Sequence, residues 1–122
     1  IIELRRKYNL KKAELEILYF LSHCGGHNTS SDIHYQLMMN KGHISQAVNS
    51  LCEKDFVIAV PDKADRRYVH YEISDSAREI INEIIQNRER MNKQILEDIS
   101  EEELKIFKRV ASKIARNIEK SI

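Results

Sequence analysis

Loop-forming residues are scarce in this chain, with one proline and three glycines among 122 residues. So little material for loops and β-turns predicts a mostly helical protein. No apolar run approaches the roughly eighteen residues of a membrane span, and no signal-peptide pattern is visible, so neither membrane insertion nor export is indicated. The cysteines, Cys24 and Cys52, lie far apart and form no disulfide framework; reduced thiols in a cytoplasmic setting are the expectation. There is no Gly-rich phosphate loop and no nucleophile motif, and the acidic residues fall mostly on helix faces expected to be solvated. An enzyme is therefore the weakest reading, and no cofactor is expected. The net charge of +1 is too mild to announce a nucleic-acid partner by itself. The chain opens on Ile1 rather than Met and is expected to be a fragment lacking its natural start.

What is present is amphipathic periodicity. Hydrophobic residues make up 42% of the chain, enough for one compact domain, alone or with a helical appendage. Over residues 11–24, Ala13, Ile17, Phe20, Leu21 and Cys24 share one helical arc, while Glu16, Tyr19 and His23 lie opposite. Gly25-Gly26 should stop that helix. Thr29-Ser30-Ser31-Asp32 is a capping box opening a short helix to about Met38. Asn40 is the next candidate cap, opening a helix to about Lys54 whose apolar arc holds Ile44, Ala47, Val48 and Leu51.

Two strand-like runs follow, Phe56 to Val60 and Tyr68 to Ile73, joined by the charged loop Pro61 to Arg67. Ser74 or Asp75 should cap a long helix, and Ser100-Glu101-Glu102-Glu103 a final one. Helix, helix, helix, hairpin is the order of a winged helix-turn-helix, giving an α+β, mostly α fold with long C-terminal helices. Their apolar stripes exceed what so small a core can bury. A homodimer is expected, with Ile84, Ile95, Ile99, Phe107, Ile114 and Ile118 at its interface.

The run NKGHISQAVNSLCEKDFVIAVPDKADRRYVHYEIS, residues 40 to 74, resembles the multiple antibiotic resistance regulators, the MarR-type transcription factors. Leu51 ends the recognition helix, Asp65-Arg66-Arg67 stands in the Asp-x-Arg wing, and Ile73-Ser74 stands at the start of the next helix. Two departures mark this chain. Asp55 replaces the usual glycine after the recognition helix, and Ile58-Ala59-Val60 replaces a basic residue in the first wing strand. The resemblance implies three regions: 1–10 as the tail of an N-terminal dimerisation helix, 11–74 as the DNA-binding domain, and 75–122 as a helical dimerisation region.

On that plan the exposed arc of the third helix enters a major groove. His43, Ser45, Gln46 and Asn49 face base edges, and Lys41 and Lys54 lie near phosphates. Gln46 and Asn49 each offer a donor and an acceptor, the chemistry of a bidentate contact with adenine. The resemblance further implies that Arg67, steadied by Asp65, reaches a minor groove, with Lys63 and Arg66 on phosphates. Ser30 and Ser31 are candidate phosphate donors at a helix start. The expected function is a sequence-specific regulator of double-stranded DNA, a homodimeric repressor on a palindromic operator, which the resemblance suggests a small molecule releases.

Two alternatives fit the same residues. The segment SHCGGHNTSSDIH gathers His23, Cys24, His27 and His34, and some members of the family sense zinc, so a metal-dependent regulator of the same fold is one. His23 and Cys24 diverge by about 100° on a helix, however, which makes them poor co-ligands and favours a turn. The other alternative is a winged-helix module whose third helix and wing bind protein, without salt-dependent duplex binding. Redox sensing by Cys24 or Cys52 ranks below a buried structural role.

Overall fold

In the computed structural model, residues 2–122 are described; Ile1, part of the expected N-terminal tail, lies outside them. The elements run α1 (Ile2–Tyr8), α2 (Lys12–His23), α3 (Ser30–Leu37), α4 (Lys41–Glu53), β1 (Val57–Pro61), β2 (Val69–Ile73), a 3-10 turn (Asp75–Ala77), α5 (Arg78–Ile95) and α6 (Glu101–Ser121). They form two compact units that divide after Glu89.

The first unit contains the core. Helix α2 packs on α4, α3 and β2, and β1 packs on α4. Ile17, Leu18, Ile33, Ile44 and Leu51 are wholly enclosed, joined by Leu4, Leu10, Val57, Ala77, Ile80, Ile81 and Ile84. Because α2 is covered from several sides, its buried surface is wider than one arc and takes in Glu14, Leu15 and Leu18.

The caps follow from local chemistry. The Thr29 hydroxyl accepts from Asp32 N–H at 3.2 Å, and Asp32 accepts in return from Thr29 N–H at 3.0 Å. Asn40 Oδ1 accepts from His43 N–H at 2.7 Å. Gly25 ends α2 at φ +63°, a left-handed turn that glycine enters without strain. Asp55 does the same after α4 at φ +62°, the position where a glycine was the expected type. Its carbonyl accepts from the Ser74 and Ser76 hydroxyls, which pins the base of the hairpin. Ser74 therefore does not cap α5 directly, and the 3-10 turn intervenes.

The strands form one antiparallel pair with Val57 opposite Ile73, Ala59 opposite Tyr71 and Pro61 opposite Val69. Tyr71 and Ile73 turn to the core, as their alternation implied.

The second unit, Arg90–Ile122, contains the end of α5, a turn through Asp98 at φ +61°, and α6. Ser100 and Glu103 close a capping box at the start of α6, at 3.0 and 3.1 Å. No residue of α6 is buried, and Phe107 is 70% exposed. Ile95, Ile99, Ile114 and Ile118 are exposed as well. Ile84 needs correction: expected on the dimer stripe, it lies in the core of the first unit, where α5 begins against buried neighbours.

Candidate nucleic-acid interface

Helix α4 separates its two faces cleanly. Ile44, Ala47, Val48 and Leu51 are buried, while Lys41, His43, Ser45, Gln46 and Asn49 are exposed. The outward arc is rich in groups that both donate and accept, and the inward arc holds the helix rigidly from behind.

Ser50 and Lys54 behave otherwise. Glu14 on α2 is 1% exposed, and its carboxylate accepts from Lys11 N–H at 2.9 Å, Ser50 Oγ at 2.9 Å and Lys54 Nζ at 3.1 Å. Lys54 also donates to the Asn9 carbonyl at 2.6 Å. Burial pushes the Glu14 carboxyl up, but the Lys11 N–H, Lys54 and Ser50 together outweigh it and hold the group below the usual carboxylate range. A buried carboxylate without such partners would be costly. Lys54, expected near phosphates, is half-buried and donates to Glu14 and to the Asn9 carbonyl. Lys11 is the local partner of Glu14 at the helix start, whereas Ser50 and Lys54 stand far along the chain.

The loop between the strands is folded on its own carboxylates. Asp62 Oδ2 accepts from the N–H groups of Ala64 and Asp65 at 3.0 and 2.9 Å. Asp62 N–H and Tyr68 N–H close the loop on the Tyr68 and Asp65 carbonyls at 2.9 and 3.1 Å. Asp65 grips Arg67 side-on, at 3.1 Å from Nε to Oδ1 and 2.8 Å from Nη2 to Oδ2, and also accepts from Arg67 N–H at 3.0 Å. These bonds hold the Asp65 carboxyl below its usual range. The Arg67 side chain is 86% exposed even so. The pair itself stabilises little at such a surface. Its effect is to orient a guanidinium that points into solvent with its rotamers already restricted. Lys63 and Arg66 are exposed beside it.

Ser31 is exposed and Ser30 half-buried in the first turn of α3, with the capping work done by Thr29. The histidine–cysteine segment is spoken for by other contacts. His23 stacks against Tyr19 with centroids 4.6 Å apart. His34 Nδ1 meets the Met39 carbonyl at 2.5 Å, and the Cys24 thiol turns to the Leu21 carbonyl at 3.6 Å. Among the described residues, no three His, Cys, Asp or Glu side chains are grouped to hold a metal ion. Burial pushes both thiols up, away from the thiolate that redox chemistry needs. A cavity of about 60 Å³ beside Glu14, His43 and Gln46 is far below the several hundred Å³ of a drug-sized ligand site.

The winged helix DNA-binding domain family matches residues 10–77. The HTH-type transcriptional regulator YwhA of Bacillus subtilis is 27% identical over 108 residues, which is 88% of this chain and 75% of that one. Two solved structures share the fold. A MarR protein from Peptoclostridium difficile superposes with a TM-score of 0.76 at 20% identity, over 96% of this chain and 76% of its own. Streptococcus pneumoniae FabT, solved in complex with DNA, superposes with a TM-score of 0.76 at 22% identity, over 99% of this chain and 85% of its own. With the exposed arc of α4, the pinned hairpin and the match over residues 10–77 together, the chain belongs to the winged helix DNA-binding domain family.

Proposed function

We propose that this protein is a MarR-type transcriptional regulator, a homodimeric repressor of the cytoplasm that binds a two-fold-symmetric operator and leaves it when a small molecule binds. The observation that carries the DNA reading is the outward arc of α4, where Gln46 and Asn49 are exposed above a fully buried opposite face. Arg67, oriented by Asp65, supports a second contact in a minor groove, where a narrow groove concentrates negative potential. The FabT complex with DNA supports the same use of the fold. Among the described residues no helix is long and apolar enough to cross a membrane, in keeping with a partner that is DNA. The exposed stripe of α6 supports a paired protein, whose two-fold axis would match that of an operator.

Selection of bound duplexes from a random pool tests this reading. Enrichment of a palindromic site is expected. On that duplex Arg67→Ala should weaken binding roughly tenfold with an unchanged melting temperature. Asn49→Ala should reduce the preference over random duplex more than it reduces binding to random duplex. A pool that stays random after repeated rounds would refute operator recognition.

A further inference from the structure

The wing is tied to the rest of the domain through one imidazole. His70, the second residue of β2, sets Nδ1 at 2.5 Å from Oδ1 of Asn28 and Nε2 at 2.7 Å from Oδ1 of Asp62. Its anchor is firm. Asn28 is 9% exposed, its carbonyl accepts from Tyr71 N–H at 3.0 Å, and Thr29 forms a backbone bridge with His70 itself. On the other side, Asp62 uses its second oxygen for the N–H groups of Ala64 and Asp65, and Asp65 holds Arg67. Hydrogen bonds thus run without a gap from the turn before α3 to the exposed guanidinium. The ring bridges two segments through both of its nitrogens.

We propose that His70 is the positioning residue for the wing arginine: bridging Asn28 and Asp62, it holds the 62–67 loop in the form that presents Arg67. The proposal rests on the reading that Arg67 contacts DNA. The groups that bear on the ring are Asp62 at the end of β1 and Asp32 at the start of α3, with His27 acting on Asp32 from the intervening turn. Asp32 is itself tied to Thr29 through N–H and hydroxyl, so Asp62 is the carboxylate that answers to His70. The His70 bond, ahead of the Asp65 and Ala64 N–H groups, holds the Asp62 carboxyl below its usual range. An arginine held in place before binding spares the ordering of a long side chain, a gain of roughly three- to tenfold in affinity.

Two measurements test this. In the free protein, the Ala64, Asp65 and Arg67 amide signals are compared by NMR in wild type, His70→Ala and His70→Gln, whose side-chain amide can still donate to Asp62. They should shift and broaden in His70→Ala and return toward wild type in His70→Gln; amides unchanged in His70→Ala would overturn the proposal, whatever the DNA does. In the second, fluorescence anisotropy on the selected duplex compares wild type, H70A, R67A and the double variant. H70A should weaken binding roughly three- to tenfold and add nothing to R67A. Additive losses would count against it. If R67A binds like wild type, the minor-groove reading falls, and the free-protein measurement still decides whether His70 holds the loop.

Discussion

Helices α4 and α6 carry the same kind of pattern and meet different fates. Each repeats apolar residues every three or four positions. The stripe of α4 is buried by neighbours in the first unit, whereas no residue of α6 is buried. A stripe in a sequence states that a face gains by leaving water, at about 25 cal/mol per Å² of apolar surface. It does not state whether the same chain or another provides the cover. The first unit is also held by long-range polar contacts such as Glu14 with Ser50 and Lys54, while the hydrogen bonds found within the second join near neighbours.

The sharpest way to break that contrast is to charge the stripe. Wild type should sediment as the proposed dimer and Phe107→Glu with Ile114→Glu as a monomer, with operator binding weaker by roughly a hundredfold or more, as two linked readers become one. A variant that stays dimeric would show that the exposed face of α6 is not the interface. A smaller effect should come from the buried carboxylate of the first unit. Glu14→Gln is expected to cost about 2 kcal/mol in urea unfolding at neutral pH, since the Lys54 charge loses its counterpart. The pH dependence has a definite sign. Because the folded-state pKa of Glu14 is depressed, its contribution is complete above the ordinary glutamate range and is lost as pH falls through the folded value. Wild type should therefore lose stability in acid more steeply than Glu14→Gln; parallel curves would contradict the buried cluster. The smallest effect concerns the two left-handed aspartates, Asp55 and Asp98, one in each unit. Asp55→Gly should raise stability by up to about 1 kcal/mol, read as a higher melting temperature. A loss instead would mean that the Asp55 side chain contributes more than its backbone strain costs.

The parts of this molecule legible in the sequence are those whose chemistry is local. Thr29, Asn40 and Ser100 cap the helices they precede because a short side chain reaches an N–H only two or three residues ahead. The exposed arc of α4 followed from its period, and the grip of Asp65 on Arg67 was implied by the family resemblance of the wing. What is not legible has distant partners. Glu14 draws in both Ser50 and Lys54 from an arc of α4 that otherwise faces water. His70 alternates outward on β2, yet Asn28 and Asp62 meet its ring from two other segments. Ile84 shares the periodicity of the exposed stripe and differs from it only in lying near the packed end of α5.

Periodicity, capping residues and the order of elements were sufficient to specify a winged helix and the face it turns outward, because each depends on neighbours within a few residues or on an alternation along one element. Folding in three dimensions decided which polar side chains serve the interior and which remain for a ligand. Desolvating a carboxylate or an imidazole is tolerable only where donors and acceptors converge from separate elements, and one-dimensional spacing carries no record of that convergence.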